Sequence, residues 1–168
     1  NDTASLNDKA LGNAWFVNDF KVAQNADDEI NLLKSIKTNE TAIVSSKDKE
    51  YLKGFVDNID DVNSDINLVS YKANHLVYDF VSSQNELTVF SEIFYDKGWN
   101  VYLNGEKSDY FRVNYVLRGM LIPAGKHKIE FKFKPQKIKN GRKVSYASSS
   151  FLFLLLIGVL FKEFQNKN

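Results

Sequence analysis

The chain has 168 residues, enough for one ordinary domain and too few for two comfortable ones. Hydrophobic residues at 43%, charged at 26% and aromatic at 14%, with only two prolines and eight glycines, exclude a disordered or low-complexity chain. A formal charge of +1 hides an asymmetry: residues 1–65 carry 13 acids against 7 bases, whereas residues 126–143 carry 8 bases against Glu130 alone. The absence of cysteine removes disulfides, thiolate metal sites and a cysteine nucleophile, and two histidines leave little for a metal.

Asn1 stands where a start methionine would, and the run Asn1-Asp2-Thr3-Ala4-Ser5 lacks the basic and apolar regions of a signal peptide, so the chain is expected to be a piece of a longer protein. Ala14 to Ala23 alternates with Phe16, Phe20 and Val22 on one parity and predicts a strand. Asp27 to Lys37 changes period, with Ile30, Leu33 and Ile36 three apart and three acids in the first turn, which predicts an amphipathic helix. Thr41 to Ser45 is a short strand, and the acidic stretch Asp57 to Asp65 a solvated loop.

From Ile66 to Pro135 the pattern predicts strands throughout: Ile66 to Lys72, His75 to Ser82, Glu86 to Tyr95, Trp99 to Leu103, Phe111 to Leu117, Gly119 to Ile122 and Lys126 to Phe133. Asn104-Gly105 is the strongest hairpin signal, because both central positions of a type I′ turn need positive φ. Six or more antiparallel strands predict a mainly β fold, an antiparallel β-sandwich of jelly-roll or immunoglobulin-like kind over 66–136 preceded by a small α+β segment over 1–65. The alternating lysines of 128–134 read as the wet face of a strand. Lys137, Lys139, Arg142 and Lys143 read as a basic juxtamembrane linker (137–143) that contacts lipid headgroups. Val144 to Phe161 carries no charge and is expected to form a C-terminal transmembrane helix of about 27 Å, followed by a short tail over 162–168.

Trp99 follows a turn glycine and lies near Tyr95 and Tyr102, with Glu92, Asn100 and Asn104 supplying polar groups. Such an aromatic shelf binds the apolar face of a sugar while carboxylates and amides take its hydroxyls; the competing reading makes Trp99 a core plug. Arg118 is open between a salt bridge or carbonyl clamp at a sandwich edge and a contact to phosphate or carboxylate. Glu92 and Asp79 as a hydrolytic carboxylate pair, and His75 and His127 as ligands, lack supporting spacing. Gly119 and Gly125 lack the strand-to-helix context of a phosphate loop. No catalytic residue, metal or cofactor is expected, and no nucleic acid as partner, since the basic residues are not interleaved with base-stacking aromatics.

Leu11-Gly-Asn-Ala-Trp-Phe-Val17, Val89-Phe-Ser-Glu-Ile-Phe-Tyr-Asp-Lys-Gly-Trp-Asn-Val-Tyr-Leu-Asn-Gly105, and Val113 to Pro135 with an apolar helix after it, together resemble the C-terminal part of the YfhO family of bacterial membrane proteins, regarded as glycosyltransferase-like. Asp96-Lys97 departs from the aromatic and proline that the family often places before the Gly98-Trp99 pair. The resemblance implies an upstream membrane domain in the same protein, and transfer of a sugar from a lipid-phosphate carrier by acidic residues in upstream loops. It also implies a bacterial cytoplasmic-membrane location with this part extracytoplasmic. The expected role is a non-enzymatic accessory module that binds or presents a cell-envelope glycan or lipid-linked sugar; the rival is a protein–protein interaction module of the envelope. The positive-inside rule, applied to Lys137–Lys143 against Lys162 and Lys167, points the other way, but large domains translocate largely regardless of charge.

Overall fold

The computed structural model describes residues 7, 9–57 and 63–165, except the side chains of 136–140, 159–161, 163 and 164. The opening run 1–5, the centre of the acidic loop and the end of the tail lie outside the described residues. The chain divides into two compact units, Asn1–Phe133 and Lys134–Asn168.

In the first unit the expected strand over 14–23 is two strands, β1 (Ala14–Val17) and β2 (Asp19–Ala23), because the amides of Asn18 and Asp19 both turn to the carbonyl of Glu40, at 2.9 and 3.1 Å. Helix α1 (Ala26–Leu33) is capped by Asn25, whose side chain accepts from the amide of Asp28, with Asp27, Asp28 and Glu29 in the positive first turn. It stops four residues before Lys37: the Ser35 hydroxyl and amide both bond the carbonyl of Leu32, at 2.8 and 2.9 Å, and tighten the last turn. Strand β3 (Thr41–Ser45) and a short 3-10 helix (Lys49–Leu52) follow.

The remaining strands are β4 (Asp65–Lys72), β5 (His75–Ser82), β6 (Glu86–Ile93), β7 (Trp99–Leu103), β8 (Glu106–Ser108), β9 (Phe111–Val113), β10 (Leu117–Ile122) and β11 (Gly125–Phe133). Asn104 and Gly105, with φ of 52° and 89°, make the tight β7–β8 turn. Two sheets form. One has the order β1-β6-β10-β9-β3-β2, with β2 parallel to β3; the other is β4-β5-β11-β7-β8 and wholly antiparallel. Three strands of the first sheet come from the segment 1–65. Since Asn18 alone separates β1 from β2, the first sheet curls until its two ends meet in one bent segment.

This curling creates two cores. Val17, Val44, Leu87, Val89, Phe111 and Val113 fill the interior of the curled sheet, while Tyr78, Phe90, Met120, Ile122, Ile129 and Phe131 fill the space between the sheets. Leu87 and Val89 of β6 face one core and Phe90 the other, so Glu86 to Phe90 is buried throughout instead of alternating. Gly119 sits where a Cβ would lie 2.4 Å from Val113 Cγ1, a contact that only glycine permits.

The second unit is one helix, α2 (Gln136–Gln165). The expected transmembrane span is not present: among the described residues no helix is long and apolar enough to cross a membrane. The physical reason is composition. Ser145 and Ser148 to Ser150 occupy the first part of the expected span, so the continuous apolar run is Phe151 to Phe161, about 17 Å of helix against a hydrocarbon core of about 30 Å. The described residues therefore form a mainly β, sandwich-like pair of sheets with two α-helices, neither of them long and apolar enough there to cross a membrane.

Candidate functional site

The β6–β10 register slips between Leu117 and Arg118, whose partners are Ile93 and Phe90, so that Ser91 and Glu92 form a bulge at the end of β6. Alternation along β10 sets Arg118 on the same face as Met120 and Ile122, in the space between the sheets, where the residue is 2% exposed. The guanidinium lies 4.4 Å over the Trp99 ring and 5.1 Å over Phe131, and its Nε donates to the carbonyl of Ile93 at 3.0 Å. Nη1 is buried with no hydrogen-bond partner, and so is the hydroxyl of Tyr78, whose ring packs against Phe90 at 5.0 Å. Buried polar atoms are almost always bonded, so two orphans in one cluster require a reason.

Tyr110 closes the cluster: its hydroxyl donates to the carbonyls of Tyr95 at 2.9 Å and Trp99 at 3.4 Å. Burial pushes the Tyr78 phenol far above its ordinary range; Glu92 adds to the shift and Arg118 opposes it. Burial also raises the Tyr110 phenol, against the pull of Arg118. The same burial lowers the Arg118 guanidinium, with Glu92 the strongest opposing influence. Both phenols stay protonated donors across the neutral range, facing a cation with a free N–H.

Of the residues singled out in the sequence, Arg118, Trp99, Glu92 and Tyr95 therefore gather at one end of the sandwich. Trp99 packs against the core between the sheets, and Phe133 touches its ring at 5.4 Å. Tyr102 is one residue out of phase with buried Val101 and faces the other side of β7, where Lys132 Nζ lies 4.9 Å from its ring. Asn104 is five residues from Trp99, about 17 Å along the strand. There its Oδ1 accepts from the amide of Lys128 at 2.8 Å and its Nδ2 meets His127 Nδ1 at 2.9 Å, pinning the β7–β8 hairpin to β11. Asp79 lines a groove of about 410 Å3 with Asp65, Asn67 and Lys128. His75 meets Glu130 at 3.1 Å. Arg142 and Lys143 are exposed on α2, whereas the side chains of Lys137 and Lys139 lie outside the described residues.

Sequence reasoning missed Tyr78 and Tyr110. The signal was present, since Tyr78 alternates in phase with Leu76 and Phe80, and an inward tyrosine needs a partner for its hydroxyl. It also missed Glu29, 1% exposed, which accepts from Arg112 Nη2 at 2.9 Å and from the amide of Tyr115 at 2.8 Å. That carboxylate holds the β9–β10 turn, where Asn114 and Tyr115 both have positive φ, at 49° and 71°.

A family model described as bacterial membrane protein YfhO matches residues 20–145, from β2 into α2. No curated protein and no solved structure matches the chain. The match takes in every residue of the Arg118 cluster and all strands except β1, and on that extent the chain belongs to the YfhO family of bacterial membrane proteins.

Proposed function

We propose that the Asn1–Phe133 unit is a non-catalytic binding module of this membrane protein. It works outside the cytoplasmic membrane, where it holds the anionic group of a lipid-linked sugar or envelope glycan for an upstream membrane domain of the same protein. The observation that carries this reading is the buried Arg118 whose Nη1 has no partner, beside the unpartnered hydroxyl of Tyr78. A guanidinium fork suits phosphate or carboxylate, and the stacked Trp99 fixes its plane. An anion there supplies the acceptor that both groups lack, entering past half-exposed Tyr95 and Glu92. Glu92 opposes the incoming charge and sets the affinity low. Exposed Arg142 and Lys143 contribute attraction to anionic headgroups.

The test is a titration of the chain with a soluble sugar 1-phosphate and with the same sugar lacking phosphate, followed by tryptophan fluorescence. Saturable binding of the phosphate form alone, lost in Arg118→Met and tightened in Glu92→Gln, is expected. Equal responses to both sugars, or binding that survives Arg118→Met, would overturn the reading. The side of the membrane is tested separately with Lys107→Cys in the full-length protein, since Lys107 is exposed while neighbouring Ser108 is half-buried in β8. Labelling of intact cells by an impermeant maleimide is expected; labelling only after lysis would place the module inside.

A further inference from the structure

We infer that β4 is a self-association edge, through which two copies of the chain pair antiparallel and join their five-stranded sheets into one. The topology isolates this strand. The edges of the first sheet, β1 and β2, have four and five residues and are bent apart at Asn18, and of the two edges of the second sheet, β8 has three residues and β4 eight. Among the described residues β4 is thus the longest edge. Its deterrents are a charge at each end, Asp65 and Lys72, and a bulge, and between them it exposes Val69 at 58% and Tyr71 at 65%.

The partner is a second copy because β4 is complementary to itself. Its register against β5 slips between Leu68 and Ser70, leaving Val69 as the extra residue of a bulge. With Val69 out of the count, seven positions remain and Leu68 is the central one. Turning the strand about Leu68 sets Asp65 opposite Lys72 of the other copy, Ile66 opposite Tyr71, Asn67 opposite Ser70, and Leu68 opposite Leu68. Each pair falls on one face of the sheet: Ile66, Leu68 and Tyr71 stand opposite the inward Phe80, Tyr78 and Leu76, while Asp65, Asn67, Ser70 and Lys72 stand opposite Val81, Asp79, Val77 and His75. Without the bulge the same pairing sets inward residues against outward ones. The slip therefore makes the edge self-complementary, with an ion pair at each end and apolar pairs on the core side.

The test is sedimentation of the full chain in mild detergent at low salt. The chain is expected to dimerise. Lys72→Asp turns two attractive pairs into two repulsive ones and is expected to raise the dissociation constant about thirtyfold. The double variant Asp65→Lys/Lys72→Asp restores opposite charges and returns it to near the parent value. A monomeric parent, a dimer indifferent to Lys72→Asp, or a double variant no better than the single would overturn the proposal; a dimer held by α2 gives the second of these. Because the chain has no cysteine, register is read directly even where a charge variant folds poorly. A mixture of Asn67→Cys and Ser70→Cys chains is expected to form disulfide-linked heterodimers, and neither variant alone to cross-link efficiently; absence of the heterodimer refutes the register. The inference is independent of the anion site, so an Arg118→Met chain that no longer binds sugar phosphate still dimerises.

Discussion

Arg118→Met separates a residue kept for folding from one kept for binding. Two interactions are lost on substitution. The charged donor to the carbonyl of Ile93, at 3.0 Å, contributes about 1.5–3 kcal/mol. The cation–π contacts to Trp99 and Phe131 add roughly 1–2 kcal/mol. Against them stands the desolvation of a guanidinium that is 2% exposed with one nitrogen unpartnered, a penalty of several kcal/mol. Methionine removes that penalty, follows a similar path between the rings and gains sulfur–aromatic contacts worth about 1 kcal/mol. The sums nearly cancel, so stability stays within about 1 kcal/mol of the parent or rises, while Arg118→Lys, which keeps the charge and loses the planar fork, is the less stable variant. Urea unfolding of both variants reads this directly, with an unchanged slope as the sign that the same surface is exposed. A loss in Arg118→Met of more than about 3 kcal/mol would show that the arginine holds the sheets together and would remove the argument from its orphaned nitrogen.

Glu29→Ala strips the partner from Arg112 and from the amide of Tyr115; because Arg112 is 31% exposed and recovers some water, a loss of about 2–4 kcal/mol is expected, measurable by denaturant titration. Gly119→Ala drives a methyl against Val113 and Phe111 inside the curled sheet and is expected to destabilise by about 1–3 kcal/mol in the same assay. The Glu130 carboxyl is held below its ordinary value of 4.5, first by the hydrogen bond from Lys132 and then by that from His75, with burial opposing. A depressed carboxyl contributes stability that is full above the ordinary value and disappears as pH falls through the lower folded-state value. Comparing Glu130→Gln with the parent from pH 6 to pH 3 is therefore expected to show a difference of about 1 kcal/mol that closes at the acid end; a constant difference would refute the ion-pair account.

Local signals in the sequence located most strands, since period-two runs bounded by turn residues depend on neighbours within a few positions. The Asn104–Gly105 turn was legible for the same reason. What escaped depended on distant segments. Nothing within Ala14 to Ala23 announces that its halves join different neighbours, because the bend at Asn18 is set by the carbonyl of Glu40. The uniform burial of Glu86 to Phe90 reflects two cores, a fact of topology. At the site, Trp99, Glu92, Tyr95, Tyr102 and Asn104 were grouped by type and proximity in the chain, with Arg118 singled out separately, and the structure brings Arg118 to Trp99 but not Asn104 or Tyr102. Strand geometry places these at the other end and on the other face. Tyr78 and Tyr110 arrive from β5 and the segment before β9, too far along the chain for local pattern to connect. The helix over Gln136–Gln165 was legible as a helix, but Ser145 and Ser148 to Ser150 shorten the apolar run that the span required.

The curled sheet also dictates when the chain can fold. Its earliest strand, β1, needs β6, its helix waits for the Tyr115 amide 86 residues away, and Ile43 waits for Asn114 across 71 residues. The other sheet is equally delayed, since β5 and β7 meet only through β11, the last strand. Neither layer is a self-sufficient folding unit, and a nascent chain lacking residues 125–133 has apolar strands with nowhere to go. Such a topology of long-range pairings folds slowly, in milliseconds to seconds, and only after synthesis of the whole unit. While it waits, the best-formed element is the β4–β5 hairpin, so its open edge is the one most exposed to wrong partners before the right one exists.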